Sequence, residues 1–336
     1  MADVTAPTTY APGDPSYTAL RYAPVVYGRN LPELGDANQN ATTDTPLIAW
    51  HESGSSSVPG GTRLTYSVVW SNEDGGTNTP ALMARWGRTT DIEWIYAVDV
   101  DANGERVPGS DVYQAPNHQT LTFKGHYDGD HAELETCTSN DNMCDVVDNQ
   151  MRFFPSALQT RPATKAREYL MDVNPWTYLV MAKEMIREGK IEAPSDTTAA
   201  TPEVSDQRNY LYAVVKKTTE GVNNGSSWVG VSLGVRLTSG DTVYLSNHVD
   251  PTWSLQRDDP AATTVELPAG TTTDDIAEIT ARRVVVGTDT GVPVRVTAID
   301  RAFLLDQAYL PQASFLSWTG DVHLTADQPT AVLWTR

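Results

Sequence analysis

Long apolar runs and basic residues are both scarce in this sequence. No stretch approaches the roughly 18 uninterrupted apolar residues that a membrane-spanning helix needs, so we expect no membrane span. Lys and Arg total 24 against 43 Asp and Glu, which gives a formal net charge of −19. Such a surface repels nucleic-acid backbones and anionic membranes, and we therefore expect no nucleic-acid partner. Nothing in the sequence predicts an oligomeric state.

The motifs of several common enzyme classes are also missing. Neither G-x-G-x-x-G nor G-x-x-x-x-G-K-[ST] occurs, so dinucleotide binding and P-loop nucleotide binding have no support. H-E-x-x-H and a full EF-hand loop are absent as well. A metal site would therefore have to be assembled from other residues.

Cysteine is rare, and its placement bears on the compartment. The only two cysteines are Cys137 and Cys144, and no other thiol is present to complete a zinc site. Their spacing can close a small loop, so we predict one disulfide and an oxidising compartment. The alternative is a pair of reduced structural thiols. The first residues lack a basic and an apolar region, which we interpret as a mature start after removal of a signal peptide. We expect a secreted, extracellular protein.

Short β-branched and aromatic runs dominate what is present. The clearest cover residues 64–70 and 92–100 in the first half and 210–216 and 228–237 in the second. Many short strands at this spacing predict a mainly β fold, an antiparallel β-sandwich that is either one wide sandwich or two packed ones. A helical connector is expected near 165–190.

The connector contains one well-marked helix. Asn174 suits its N-cap, Pro175 its first position, and Gly189 its end. Helical spacing places four apolar residues on one side, which we expect to be the packed side: Trp176, Leu179, Val180 and Ile186.

The chain divides into four predicted segments. Residues 1–18 form an extended N-terminal arm, and residues 19–160 form a β-rich domain that carries the polar loops. Residues 161–206 supply the helix and a linker. Residues 207–336 form a second β-rich domain or the second half of the same sandwich.

The polar segment 71–93 is the first candidate site. It joins two strong strands with about twenty residues where a hairpin needs only two to five, and loops this long are commonly functional. A short helix is expected inside it, with Pro80 in its first turn and Gly87 as its stop. Carboxylates beside guanidiniums suit acid/base pairs or sugar and anion clamps. The candidates, any of which could instead belong to a salt-bridged structural loop, are Glu73, Asp74, Arg85, Arg88, Asp91 and Glu93.

The segment 125–131, G-H-Y-D-G-D-H, is the second candidate. His126 or Tyr127 is the candidate base for proton abstraction. Two histidines and two aspartates within six residues also resemble a metal loop, and aspartate oxygens are ligands that calcium prefers. The candidate ligands of a calcium ion are Asp128, Asp130, His131 and Asp141. A solvated polar turn is the alternative.

A third, weaker candidate lies at residues 246–253. His248 and Asp250 alternate on an extended segment, so Asp250 is predicted to orient the imidazole of His248. A satisfied surface pair is equally consistent with this pattern.

The function follows from composition more than from motifs. Nine Trp and fourteen Tyr against five Phe favour rings with a polar atom, which suit sugar faces but also ordinary strands. Together with a secreted setting and paired acids, this aromatic composition predicts a carbohydrate-active enzyme, a glycoside hydrolase that cleaves an extracellular polysaccharide. One alternative is a polysaccharide lyase with a His or Tyr base and with Arg or calcium at the substrate carboxylate. The other is a non-catalytic carbohydrate-binding or cell-surface β-sandwich module.

Overall fold

The computed structural model describes residues 12, 16–31, 36–40, 45–73, 78–154, 158–193, 203–221, 227–248, 250–258 and 260–336. It is mainly β, with 44% strand and 15% helix in several antiparallel sheets packed together, which confirms the predicted fold class. The chain forms two compact units. Unit 1 comprises Met1–Gly76 and Thr90–Pro162, and unit 2 comprises Thr77–Thr89 and Ala163–Arg336.

The described residues of unit 1 form one short α-helix and thirteen strands. Their bounds are α1 (Tyr17–Arg21), β1 (Val25–Tyr27), β2 (Asn30–Leu31), β3 (Asp36–Asn40), β4 (Pro46–Ser55), β5 (Thr62–Trp70), β6 (Ile92–Val100), β7 (Val112–Ala115), β8 (Gln119–Thr122), β9 (Tyr127–Asp128), β10 (His131–Thr136), β11 (Met143–Cys144), β12 (Arg152–Phe153) and β13 (Gln159–Thr160). One sheet has six strands in the order β13-β4-β5-β6-β7-β8. A five-stranded sheet runs β11-β10-β1-β12 with β9 on β10, and β2 pairs with β3.

The core of unit 1 lies between its two larger sheets. Alternate residues of β5, among them Tyr66 and Trp70, share one hydrophobic cluster with Val26 of β1 and Leu134 of β10. This alternation is expected where one face of a strand is buried. Two pairings in the unit are parallel, β1 with β10 and β4 with β13.

In the part of unit 2 that the structure describes there are three α-helices and eight strands. Their bounds are α2 (Thr79–Trp86), α3 (Tyr169–Val173), α4 (Trp176–Arg187), β14 (Tyr210–Thr219), β15 (Trp228–Leu237), β16 (Val243–Leu245), β17 (Ala261–Glu266), β18 (Ile276–Val286), β19 (Val294–Phe303), β20 (Leu316–Leu324) and β21 (Thr330–Thr335). The strands form two four-stranded sheets, β17-β14-β19-β20 and β16-β15-β18-β21. All these neighbouring strands are antiparallel.

The two sheets of unit 2 share one apolar core. Val231 and Val235 of β15 face the same cluster as Val215 of β14 and Ile299 of β19, and all four are fully buried. Residues from both sheets therefore interdigitate as in a β-sandwich.

Helix α2 is the short helix predicted within the polar loop. It belongs to unit 2, where its carbonyls at Ala84 and Met83 accept hydrogen bonds from the hydroxyls of Thr263 and Thr264 at 2.6 and 2.9 Å. The helix ends at Gly87, whose φ of +64° is left-handed. A Cβ there would lie 2.8 Å from the Cβ of Ala262, so the position requires glycine on two counts.

Helix α4 confirms the connector but corrects its packed side. Gly189 ends it in the left-handed conformation, with its N–H bonded to Ile186 and the next N–H to Met185, the pattern of a Schellman motif. The buried residues at i, i+3, i+4 and i+7 are Tyr178, Met181, Ala182 and Met185. The predicted side was wrong, since Trp176 and Ile186 are 43% and 47% exposed. The sequence offers two apolar stripes, and the one rich in methionine is the one that packs.

The predicted disulfide is confirmed. Cys137 and Cys144 are bonded, with their Cα atoms 5.8 Å apart. In the described residues, no helix has the length and apolar character to cross a membrane.

Candidate functional site

The acids predicted at the two ends of the polar loop are buried in unit 1. Glu73 is 5% exposed and Asp91 is 3% exposed. Asp91 Oδ1 accepts a hydrogen bond from the backbone N–H of Ile92 at 2.7 Å, so the carboxylate fixes the start of β6. Asp74 lies outside the described residues. Both side chains are therefore almost fully shielded from solvent, and their catalytic role stays a prediction.

Glu93 ends a chain of polar contacts in unit 1. Gln114 donates through Nε2 to Glu93 Oε2 at 2.9 Å and lies 2.6 Å from Nδ1 of His118. The other ring nitrogen of His118 is 3.1 Å from Nδ2 of Asn140. His118 and the preceding Asn117 have φ of 57° and 59°, an uncommon conformation for residues other than glycine. These contacts hold Glu93 in place beside a strained turn.

The two arginines of the polar loop belong to unit 2. Arg88 forms a buried ion pair with Glu168, with Nε and Oε1 3.2 Å apart and neither residue more than 3% exposed. The guanidinium of Arg85 lies 5.1 Å from the ring centre of Trp86, and that of Arg257 lies 4.2 Å from it. Both loop arginines therefore take part in packing within the unit.

The two candidate bases of the histidine-rich segment differ in environment. His126 has an 83% exposed side chain whose Nδ1 is 2.9 Å from Glu133 Oε2. Tyr127 packs under the guanidinium of Arg106 at 4.2 Å and hydrogen-bonds with Asp111. Burial, and after it the charge of Asp111, raises the pKa of Tyr127 to about 12. A phenol with a raised pKa is a poor proton acceptor near neutral pH.

Two of the predicted calcium ligands are paired with arginines. Asp128 Oδ2 lies 3.0 Å from Nη1 of Arg152. Asp130 Oδ2 lies 2.6 Å from Nε of Arg21. These carboxylates occupy different ion pairs of unit 1.

The other two predicted ligands are held by the protein fold. The ring of His131 hydrogen-bonds through Nδ1 with the carbonyl of Ala23 at 2.7 Å. Asp141 is fully buried in the disulfide-closed loop, with φ of 46°. Among the residues that the structure describes, no group of three or more His, Cys, Asp or Glu side chains is arranged to hold a metal ion. Calcium binding stays a prediction.

A concavity of about 1050 Å³ in unit 2 is lined by many polar side chains. Its walls come from the segment after α4, the segment before β14, strand β16, the end of β17, and the loops at 267–273 and 305–312. None of the residues proposed from the sequence as catalytic, and none of the proposed metal ligands, lines it; His248 does.

Two carboxyl groups meet on the wall of this concavity. Glu266, the last residue of β17, hydrogen-bonds with Glu192, and Tyr210 Oη lies 3.4 Å from Glu266 Oε2. A parallel bridge between Ile191 and Val204 fixes the backbone beside Glu192. Burial raises the pKa of Glu266, and its hydrogen bonds with Glu192 and Tyr210 offset this only in part. A hydrogen bond between two carboxyl groups requires that one of them is protonated, and the raised pKa of Glu266 favours the protonated form.

His248 adds an imidazole to the same wall. Its Nδ1 lies 3.7 Å from Glu266 Oε2, and its ring stacks on Trp253 with centroids 6.3 Å apart and planes 13° apart. The orientation of His248 by Asp250 stays a prediction. Oδ1 of the Asp250 carboxylate accepts hydrogen bonds from the N–H and hydroxyl of Thr252, at 2.8 and 2.7 Å. His248 has φ of 53°, so the turn and not strand alternation sets its direction.

A second wall is built around Asp206. Arg208 donates through Nε and Nη2 to the two Asp206 oxygens at 2.8 and 2.6 Å and through Nη1 to Gln307 Oε1 at 2.9 Å. The guanidinium also lies 4.8 Å from the ring centre of Tyr309. Burial opposes ionisation of Asp206, but the bonds from Arg208 outweigh it and lower the pKa of Asp206. The Asp206 carboxyl therefore favours the ionised form, whereas Glu266 on the other wall favours the protonated form.

Sequence reasoning missed the carboxyl pair. Glu266 lies in A-A-T-T-V-E, a strand that was not predicted, and Glu192 precedes a stretch interpreted as a linker. The β-branched run Thr263, Thr264 and Val265 was the available signal for the strand. No local pattern indicates that the two glutamates meet.

Comparison with known proteins gives no assignment: no protein family model, no curated protein and no solved structure matches this chain.

Proposed function

We propose that this protein binds carbohydrate in the concavity of unit 2. The observation that carries the proposal is a concavity of about 1050 Å³ whose walls combine neutral hydrogen-bonding side chains with the Glu192–Glu266 carboxyl pair. The neutral groups include Asn209, Gln307 and Gln312. Sugar hydroxyls donate and accept at once, and such mixed walls suit them better than walls of one charge.

Aromatic rings support the same ligand class. Tyr244 lines the concavity, and Trp253 stacks on its wall residue His248. Rings that expose a polar atom beside an apolar face stack on the C–H faces of sugars. The openness of the concavity at a surface, with walls from several loops, suits a chain of sugars as well as a single one.

The spacing of the carboxyl groups favours binding over glycoside cleavage. Retaining glycosidases hold their two carboxyl groups about 5–5.5 Å apart and inverting ones about 6.5–9.5 Å apart. Glu192 and Glu266 are in direct hydrogen-bond contact, which is closer than either arrangement. A sugar hydroxyl at the edge of the pair would accept a hydrogen bond from a protonated carboxyl or donate one to a carboxylate oxygen.

Hydrolysis is the second candidate function, on a specific ground. A carboxyl pair that shares one proton is also the arrangement of acid proteases, in which one group acts as acid and the other as base. The predicted glycoside hydrolase would then use Glu192 and Glu266. Of the two candidate bases of the lyase alternative, Tyr127 has a raised pKa, which disfavours it, and His126 is left as its base.

The predicted extracellular setting is part of this proposal. One disulfide is the kind of bond that persists in oxidising compartments. A secreted protein would meet polysaccharide outside the cell, and the surface charge of −19 would favour neutral or cationic glycans over polyanionic ones.

A retention screen tests the proposal. Wild-type protein is run through native gels that contain single polysaccharides, with calcium and with chelator, and reducing ends are measured in parallel. Ala269→Trp places an indole in the concavity from an exposed loop, and Ala102→Trp makes the same change at an exposed site in unit 1. We expect retention on at least one polysaccharide, lost in Ala269→Trp and kept in Ala102→Trp.

Three other outcomes decide between the functions. New reducing ends that disappear in Ala269→Trp would establish hydrolysis at this site instead of binding alone. Retention that Ala269→Trp leaves unchanged would place the sugar elsewhere and overturn the proposal. Migration unchanged in every gel, with no reducing ends, would overturn carbohydrate binding altogether.

A further inference from the structure

Unit 1 contains a cavity of a different chemistry, of about 410 Å³, between its two larger sheets. Ala23 and Val26 line it from the five-stranded sheet, and Ile48, Val68 and Ile95 line it from the six-stranded sheet. All five are buried apolar residues. The cavity is therefore a continuation of the hydrophobic core.

The buried hydroxyl of Tyr66, which lines the cavity, has a partner: it donates its proton to the carbonyl of Ala19 at 2.6 Å. Most of the side chains that line the cavity are apolar, and apolar side chains offer water few hydrogen bonds and favour apolar guests. An engineered apolar cavity of roughly 150 Å³ binds benzene, so at the same volume per carbon this cavity of about 410 Å³ has room for roughly 16 carbons.

The mouth of the cavity is apolar and carries one cation. Phe154 lines it and is 51% exposed, a high value for a large apolar side chain. Arg152 is the one charged residue among the described residues that line the cavity. Nη1 of Arg152 lies 3.0 Å from Asp128, and both side chains are about half exposed; Arg152 also hydrogen-bonds with Tyr27. Exposed ion pairs of this type contribute little, so a competing anion can replace the aspartate.

We propose that this cavity binds a fatty-acid-like carboxylate, with its alkyl chain between the sheets and its head group at Arg152. The apolar lining selects the chain, and the single guanidinium selects an anionic over a cationic head group. The net surface charge opposes anions at long range, but salt screens this field beyond about 10 Å. Burial of the chain then supplies most of the affinity. The site is independent of the concavity in unit 2.

A chain-length series tests the apolar part of the site. Octanoate, decanoate and dodecanoate are titrated into the whole protein by calorimetry. We expect one ligand per chain and an affinity that rises about fourfold for each added methylene, the value that corresponds to burial of one CH₂. A flat series would overturn the proposal, as would a stoichiometry of several ligands per chain.

Variants locate the ligand. Leu47→Trp and Ala49→Trp place a bulky ring at two half-exposed positions of the cavity wall, and Val332→Trp makes a similar change at an exposed position in unit 2. Thermal unfolding identifies any variant that fails to fold. We expect binding weakened at least about tenfold in a folded cavity variant and unchanged in the control. Equal affinity in all folded variants would overturn the site.

The head group is tested separately. Arg152→Gln should reduce the preference for dodecanoate over dodecanol about tenfold, the scale of one lost charge-assisted contact. Arg295→Gln is the matched control, because Arg295 forms a similarly exposed pair with Asp321 in unit 2. Dodecyltrimethylammonium should bind more weakly than dodecanoate to the wild type. Tighter binding of the cation would contradict the role of Arg152.

Discussion

Glu192 and Glu266 hydrogen-bond with each other on the wall of the unit 2 concavity, and Tyr210 contacts the same Glu266 carboxyl at 3.4 Å. A hydrogen bond between two acids needs one proton. The pair is therefore a pH-dependent element at the centre of the proposed sugar site, and its titration is measurable without knowing the ligand.

The first prediction concerns the pH dependence of stability. The pKa of Glu266 is raised in the folded protein above its ordinary value of 4.5, so the folded state holds the proton to a higher pH than the unfolded chain does. This contribution to the free energy of unfolding is fully present below pH 4.5 and is lost as pH rises through the raised pKa. Glu266→Gln does not titrate, so it should gain stability relative to wild type as pH rises.

Urea unfolding of both proteins from pH 4 to pH 8 measures this difference. Glu278→Gln, which removes a carboxylate 3.6 Å from Arg236 in the same unit, is the control. A stability difference between wild type and Glu266→Gln that does not change with pH would mean that the pair shares no proton.

The second prediction concerns the buried pair Arg88–Glu168. Arg88→Met leaves the Glu168 carboxylate buried without its cation, and breaking a buried pair in this way costs about 3–5 kcal/mol. The double variant Arg88→Met with Glu168→Leu should recover much of that loss, because no charge stays buried. Chemical denaturation of the wild type, the two single variants Arg88→Met and Glu168→Leu, and the double variant measures the coupling energy between the two side chains. Losses that simply add would show that the two side chains do not interact.

The third prediction concerns the disulfide. Cys137 and Cys144 are seven positions apart. Closing a loop of that length lowers the entropy of the unfolded chain, which raises the free energy of unfolding by roughly 2–3 kcal/mol. The double variant Cys137→Ser with Cys144→Ser should lose about that stability. Thermal unfolding of the wild type with and without reductant should show a matching difference. An unchanged melting temperature in both comparisons would mean that the bond contributes nothing to stability.

The fourth prediction separates two requirements at Gly87. Its φ is +64°, and a Cβ would lie 2.8 Å from Ala262 Cβ and 3.0 Å from Thr263 N. Gly87→Ala should lower the free energy of unfolding by about 2–4 kcal/mol, the sum of backbone strain and crowding. Gly270→Ala tests strain alone, with φ +83° and no atom within 4 Å, and should lose about 1 kcal/mol. Equal losses at the two positions would show that crowding against β17 plays no part.

The sequence predicts elements well where local signals agree. Residues 92–100 match β6 and residues 228–237 match β15, because β-branched and aromatic residues fill both strands. Gly87 and Gly189 end helices as expected, since each takes the left-handed conformation that glycine adopts without strain. These are properties of single segments, and a sequence contains them directly.

The candidate site was far less accessible from the sequence. A polar segment signals chemistry only if its charges stay exposed, yet the structure buries Arg88 against Glu168, eighty positions along the chain. Glu192 and Glu266 meet because the Ile191–Val204 bridge and the end of β17 bring them together. Contacts between distant segments depend on tertiary packing, which hydrophobic periodicity does not encode.

Amide hydrogen exchange with and without a saturating glycan tests the central claim most directly. Once the gel screen supplies a retained polysaccharide, an oligosaccharide from it is added to the wild-type protein and exchange is compared peptide by peptide. The account predicts slower exchange at residues 203–210, 266–273 and 305–312, which border the concavity, and unchanged exchange in unit 1. Protection confined to unit 1, or no change around Glu266, would contradict it.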